Sequence, residues 1–335
     1  MSSETTPCTV VLSLDGGGIR GLMTAVWLAK LEELLKDSVR DYCHILAGTS
    51  TGAILACAVA SGIPAKDIVK LYQSEGRRIF PASLSRGWSR LTRVFDQGFS
   101  APKYSADGLQ EVLQHTFQQK RMSDVPAHLC LLVTTYNTLT RQATVLKSTS
   151  SPGRDMLMWE AAKSSASAPT YFPAHVATLN GANAPLIDGG VVANNPTLCG
   201  IAEAVKGGVE RKPIPLEQIV VGSFGTGEST RSISIREAMT WGALEWAIPI
   251  IDVLFDGAAD ATNHVASHLI GDERYVRLQC RLEKAYDDMD NADKTNLNAL
   301  VNLANEYLAQ EGLKKLEKLT NLLRKCRKTR ERKQT

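Results

Sequence analysis

Val10-Val11-Leu12-Ser13-Leu14-Asp15-Gly16-Gly17-Gly18-Ile19-Arg20-Gly21 is the stretch on which the fold turns. A short β-branched run breaks at an aspartate and three consecutive glycines. Leu22–Leu35 then repeats apolar residues at helical spacing (Leu22, Val26, Leu28, Leu31, Leu34, Leu35). The reading is strand, tight turn, helix. Glycine lets the backbone turn sharply, and it leaves N–H groups at a helix N-terminus, where they can hold a phosphate or a developing oxyanion. A glycine turn with no ligand fits the same residues.

The pattern recurs at once. His44–Ala47 reads as a second strand, Gly48-Thr49-Ser50-Thr51-Gly52 as its turn, and Ala53–Ser61 as a buried helix closed by Gly62 and Pro64. Leu129–Tyr136, Ala143–Leu146, Pro185–Ile187, Ile219–Gly222 and Tyr275–Gln279 are further strands, with helical stretches between most of them. Such alternation predicts an α/β protein, a three-layer α/β/α sandwich around a largely parallel sheet, with a C-terminal helical extension. The expected division is a catalytic core over 8–200, a continuation of the α/β fold over 201–290, and helices with a basic tail over 291–335.

With 335 residues, 44% hydrophobic and 22% charged, the chain has ample material for a core. The net charge of +3 implies no partner, and no nucleic-acid interface is expected. The charge is uneven, however. Lys314–Thr335 holds ten Lys or Arg against two acids, so the tail carries +8 and the remainder −5. Leu313, Leu316, Leu319, Leu322 and Leu323 form a stripe beside those basic residues. It fits either an interfacial helix on anionic lipid or a terminal helix packed on the body. Seven dispersed cysteines without a CxxC pair, among them Cys57, Cys130 and Cys280 in apolar surroundings, predict reduced thiols in a cytosol. Met1–Pro7 is polar and reads as no signal peptide, and the longest apolar candidate, Trp241–Phe255, is interrupted by Glu245 and Asp252, so no membrane span is expected. Phe80–Pro102 lacks periodicity and mixes Trp88, Phe95 and Phe99 with Arg86, Arg90 and Arg93, which reads as a long loop, either functional or disordered.

Gly48-Thr49-Ser50-Thr51-Gly52 has the nucleophile-elbow pattern: flanking glycines allow close packing and the serine oxygen is thrust out at a helix head. A Ser/Thr helix cap is the plainer alternative. Asp188-Gly189-Gly190, after Pro185–Ile187, puts a carboxylate at a strand's C-terminal edge, where active sites of such sheets open. Taken by itself, an Asp-Gly turn is the plainer reading.

The Gly-rich loop, the Gly-Thr-Ser-Thr-Gly elbow and Asp-Gly-Gly, in this order, resemble the patatin-like phospholipase family. Ser165-Ala166-Ser167-Ala168-Pro169-Thr170-Tyr171-Phe172-Pro173 and Gly225-Thr226-Gly227 resemble further segments common in it. The resemblance spans about residues 8–200 and weakens to about 280. It implies Ser50 as nucleophile and Asp188 as its base, with no histidine. Gly16, Gly17 and Gly18 match the oxyanion loop, with Arg20 beside it, and Gly21, Gly48, Gly52, Gly189 and Gly190 support the motifs. The implied activity is acyl-ester hydrolysis of phospholipids, lysophospholipids or other acyl glycerolipids at a membrane surface, without cofactor or metal. The implied localisation is cytoplasmic, peripheral at the inner face of the membrane. A gated enzyme is expected, by homo-oligomerisation or by a small-molecule nucleotide activator, as in cyclic-nucleotide-activated antiphage members of the family.

Three rivals are open. Ser50, Asp188 and His264 have the chain order of an α/β-hydrolase triad, and His264 and His268 are also spaced like metal ligands. Gly16-x-Gly18-x-x-Gly21 could begin a dinucleotide site, but Asp37 and Asp41 precede the second strand rather than end it. The third is a non-catalytic protein on the same fold.

Overall fold

The computed structural model describes residues 8–80, 102–208, 212–246, 249–285 and 287–334. Apart from Phe80 and Pro102, the expected Phe80–Pro102 loop lies outside them. Eight strands form one sheet: β1 (Thr9–Leu14), β2 (Ile45–Thr49), β3 (Cys130–Asn137), β4 (Gln142–Lys147), β5 (His175–Leu179), β6 (Ala182–Asp188), β7 (Ile219–Phe224) and β8 (Tyr275–Leu278). Their order is β5-β6-β3-β2-β1-β7-β8, with β4 also paired to β3. The pairs β3–β2, β2–β1, β1–β7 and β7–β8 are parallel; β4, β5 and β6 join antiparallel. The fold is therefore the expected α/β sandwich, mostly parallel. Strand β5 is additional to the strands read from the sequence.

Helices cover both faces. They are α1 (Gly21–Leu35), α2 (Thr51–Ala60), α3 (Ala65–Ile79), α4 (Asp107–Phe117), α5 (Met158–Ala166), α6 (Gly190–Ala193), α7 (Thr197–Lys206), α8 (Ile235–Thr240), α9 (Ala243–Trp246), α10 (Pro249–Ile270), α11 (Lys294–Tyr307) and α12 (Leu313–Gln334). A sheet with helices on both faces has apolar residues at odd and even strand positions. Val10, Leu12 and Leu14 of β1 belong to a core with α1, α2 and α12, while Val11 joins a second core with Ile201 of α7 and Ala266 and Ile270 of α10. The same split divides Leu46 from Ile45 and Val220 from Val221.

The C-terminal helix resolves one alternative. Leu316, Leu319 and Leu323 are fully buried in the larger core, and Leu319 fills the space left by the missing side chain of Gly222 in β7. Three of the five stripe leucines belong to the body, with Leu322 half-buried and Leu313 exposed, so an interfacial helix using the whole stripe is ruled out: the sheet needs Leu316, Leu319 and Leu323 to close its face. Cys57, Cys130 and Cys280, the core thiols read as reduced, are free, but not every cysteine is a thiol. Cys8, just before β1, forms a disulfide with Cys326 near the end of α12, because α12 runs back along the sheet to the edge where β1 begins. Cys43, Cys57, Cys130, Cys199 and Cys280 are free. Among the described residues, no helix is long and apolar enough to cross a membrane.

Candidate active site

One detail of strand pairing creates the site. Every residue of β3 from Leu132 to Asn137 pairs with β4 on one edge. On the opposite edge β3 pairs with β2 up to Thr134↔Thr49, and from Thr135↔Asp188 onward with β6. Strand β2 runs parallel to β3 and β6 antiparallel, so the two meet head-on along a single edge. Thr49 and Asp188 therefore face successive residues of β3, and Ser50 is the next residue after Thr49. Residues far apart in the chain are brought together by two strands running into each other.

The turn at each strand end aims the side chain. Ser50 has φ 54° and ψ −122°, a region that L-residues rarely enter, at the N-cap of α2. Such a backbone costs about 1–3 kcal/mol and persists only where the surroundings impose it. Here Gly52 imposes it: any side chain at this position would collide with the carbonyl of Leu14, so only glycine lets the head of α2 sit against β1. Ser50 is 6% exposed and Asp188 fully buried.

The segment from Ser165 to Ser167 clamps both partners. The Ser50 amide donates to Ser165 Oγ at 2.8 Å, the Asp188 amide to the Ser167 carbonyl at 2.9 Å, and the Gly189 amide to the Ser165 carbonyl at 3.3 Å. The last turn of α5 and the residue after it thus hold the backbone of both strand ends in one frame. The sequence marked this segment through resemblance alone; its role depends on contacts that no spacing encodes.

The Asp188 carboxylate has one firm partner: Oδ1 accepts the Gly190 N–H at 2.7 Å. Oδ2 meets no donor in full hydrogen-bonding geometry among the described residues, and the Ser50 hydroxyl is the side chain that bears on the carboxylate. Burial pushes Asp188 up to about 7, against the opposing pull of Ser50 and of the Gly190 N–H. Two residues on, the ring of Phe255 of α10 occupies the space that a side chain at Gly190 would need. A carboxyl that titrates near neutrality, beside a hydroxyl in a strained turn, can accept that hydroxyl's proton.

The glycine loop completes the site. The missing side chain of Gly16 leaves room for Ser50 Cβ, which an added Cβ would approach to 3.2 Å. The amides divide into two sets. Gly16 N–H donates to the Asn194 carbonyl at 3.0 Å and Ile19 N–H to the Met289 carbonyl at 2.8 Å, whereas those of Gly17 and Gly18 donate to nothing among the described residues. The free donors are therefore Gly17 and Gly18, and the Gly16 amide is already engaged. Gly18, at φ 58°, also needs its lack of side chain to pass the Met289 carbonyl. Arg20 is 2% exposed and turned into the loop, with Nε donating to the Gly17 carbonyl at 3.3 Å. Behind the loop the buried Asp15 is paired with Arg277 at 2.5 Å, so the aspartate of the motif is neutralised within the protein. Neither Asn194 nor Arg277 carried a motif in the sequence.

An apolar slot leads from Ser50 and Gly18 into the protein. Ile54 of α2, Leu71 and Ile79 of α3, Leu109 and Leu113 of α4, and Ile251 and Phe255 of α10 line it. Its cavity is about 60 Å³ and its lining is almost wholly apolar. The histidines are elsewhere. His264 and His268 stack on the exposed side of α10, with ring centroids 4.4 Å apart, and neither acts on Asp188. No group of metal-ligating side chains is found around them among the described residues.

Comparison with known proteins identifies the family. The family model of the patatin-like phospholipases matches residues 12–198, from β1 through the elbow and Asp188 to the start of α7. Patatin-like protein 1 of Arabidopsis thaliana is 30% identical over 89% of this chain and 81% of its own length. Patatin-11 of Solanum tuberosum is 27% identical over 95% and 91%. VipD from Legionella pneumophila superposes with a TM-score of 0.42 at 12% identity, covering 90% of this chain and 67% of that one, and the assignment does not rest on it. The matched span contains the glycine loop, the strained serine and the buried aspartate that the sheet brings together, and the chain belongs to the patatin-like phospholipase family.

Proposed function

We propose that this chain is a lipid acyl hydrolase that cleaves fatty-acyl esters through Ser50 and Asp188 by way of an acyl-enzyme. Membership of the patatin-like phospholipase family supports the hydrolase class. The observation that carries the finer reading is the head-on meeting of β2 and β6, which sets the Ser50 hydroxyl against a buried carboxylate at the mouth of an apolar slot.

The reaction follows from the groups present. The acyl chain lies in the slot with its ester carbonyl at Ser50. Asp188 takes the hydroxyl proton as Oγ bonds to the carbonyl carbon, and the carbonyl oxygen becomes an oxyanion beside the Gly17 and Gly18 N–H groups. Such a donor contributes about 3 kcal/mol in the transition state. The tetrahedral species collapses, the C–O bond to the alcohol breaks, and Asp188 returns the proton to the leaving oxygen. Water then repeats the sequence on the acyl-enzyme: Asp188 takes its proton, hydroxide adds to the carbonyl, and the fatty acid leaves as Ser50 regains its proton. Asp188 suits both steps because a base that titrates near pH 7 can accept and release a proton at neutral pH.

The substrate is drawn from a lipid surface at the slot's rim. Ile250, Val253 and Leu254, between 37% and 44% exposed, flank Ile251 and Phe255 of the slot on α10 and offer apolar surface there. Leu316, Leu319 and Leu323 of α12, being buried, cannot serve. The test pairs fluorophosphonate labelling with fatty-acid release from phospholipid vesicles. Wild type is labelled and active, while Ser50→Ala is unlabelled and at least about a thousandfold slower. Undiminished release by folded Ser50→Ala refutes the proposal.

A further inference from the structure

Beyond the dyad, we infer that Thr226 is a positioning residue that aims the Gly17 N–H, and so sets the strength of the oxyanion hole. The inference rests on the hydrolase reading above.

A free amide is useful only if its peptide plane is held in the right orientation, and glycine peptides are the easiest of all to rotate. In a trans peptide the carbonyl and the following N–H lie on opposite sides of the plane, so whatever grips the carbonyl fixes the direction of the N–H. The Gly16–Gly17 peptide is trans, and its carbonyl accepts a hydrogen bond from Thr226 Oγ1 at 2.8 Å. The Gly17 N–H must therefore point away from Thr226. The next plane is treated in the same way: the Gly17 carbonyl accepts both Arg20 Nε at 3.3 Å and the Arg20 amide at 3.2 Å, which turns the Gly18 N–H to the other side. These are the two amides without partners among the described residues, and Gly18 lines the same slot as Ser50. Each carbonyl is gripped and each N–H is left open.

Thr226 is built for this task. It is 3% exposed, and any side chain at Gly17 would collide with it, so glycine and threonine are fitted to each other. It sits between Gly225 and Gly227, just beyond β7, the strand beside β1. The Gly225 amide is tied to the Leu278 carbonyl and the Gly227 amide to Gln279 Oε1, both at 2.8 Å. Its backbone is thus anchored to the end of β8 on both sides, while its hydroxyl reaches the loop after β1. One hydroxyl couples the two loops, and its deletion leaves a glycine peptide free to rock.

The experiment compares Thr226→Val, Thr226→Ala and Thr226→Ser with wild type and with Ser50→Ala. Two quantities are measured: steady-state ester hydrolysis, and inhibition by an acyl trifluoromethyl ketone. That inhibitor adds Ser50 Oγ to its carbonyl carbon, Asp188 takes the proton, and its oxygen becomes the oxyanion. Thr226→Val keeps the volume and removes the hydroxyl. It lowers kcat about 10- to 100-fold with KM within about twofold, and weakens the ketone by the same factor. Thr226→Ser, which keeps the hydroxyl, stays within about threefold of wild type on both counts. If Thr226→Val fails to fold, Thr226→Ala decides by the same readings. Wild-type kcat and inhibition in a variant without the hydroxyl overturn the inference while Ser50→Ala remains inactive. Activity in Ser50→Ala overturns the hydrolase reading beneath it.

Discussion

Asp188→Asn separates the catalytic use of the buried carboxylate from its cost to the fold. Asp188 is fully buried and pushed up to about 7 from an ordinary 3.8, a displacement of about three pH units. Between about pH 4 and pH 7 the folded chain keeps a proton that the unfolded chain releases. The free energy of unfolding therefore falls as pH rises through that window, and the full loss is present above pH 7. At about 1.36 kcal/mol per unit, the penalty comes to about 4 kcal/mol. Asparagine keeps an oxygen for the Gly190 N–H and never ionises. Asp188→Asn should thus gain stability relative to wild type between pH 4.5 and pH 8.5, by up to about 4 kcal/mol, or several degrees in the unfolding midpoint. The assay is thermal or urea unfolding of both proteins across that range. Hydrolysis by Asp188→Asn should be nearly abolished throughout. In wild type, kcat/KM should fall tenfold per pH unit below about 7 and level off above it. Parallel stability profiles for the two proteins would mean that Asp188 carries no buried charge, and the argument from burial would fail.

Phe255→Ala should open the cover over Gly190, let water reach Asp188, and move the midpoint of the pH–rate profile to lower pH, because hydration favours the charged carboxylate; an unmoved midpoint assigns the cover elsewhere. His264→Ala should leave kcat/KM within about twofold, since the ring lies exposed on α10 and does not act on Asp188; a large loss in the folded variant would restore the histidine triad.

Much of this protein is encoded locally and can be read without coordinates. A β-branched run such as Val10–Leu14 is a strand because both its faces are apolar, and the glycines at 16–18, 48 and 52 mark turns because the chain must approach its neighbours there more closely than a side chain allows. These signals act over a few residues, so sequence alone determined the α/β class, the turns and the residues at their tips. Tertiary structure decided whatever depends on which strand ends meet. The collision of β2 and β6 along one edge of β3 brings Ser50 to Asp188, and pairing register has no signature in either strand. Burial by the fold pushes the pKa of Asp188 up, and Phe255, which packs over the neighbouring Gly190, lies more than sixty positions away in the chain. Thr226 grips a peptide formed some two hundred residues earlier. Leu316, Leu319 and Leu323 of α12 could have faced lipid or the sheet, and only the apolar face of the sheet, with the gap at Gly222 that Leu319 fills, settled which. Periodicity reports that a side chain needs cover; only the folded neighbours reveal what provides it.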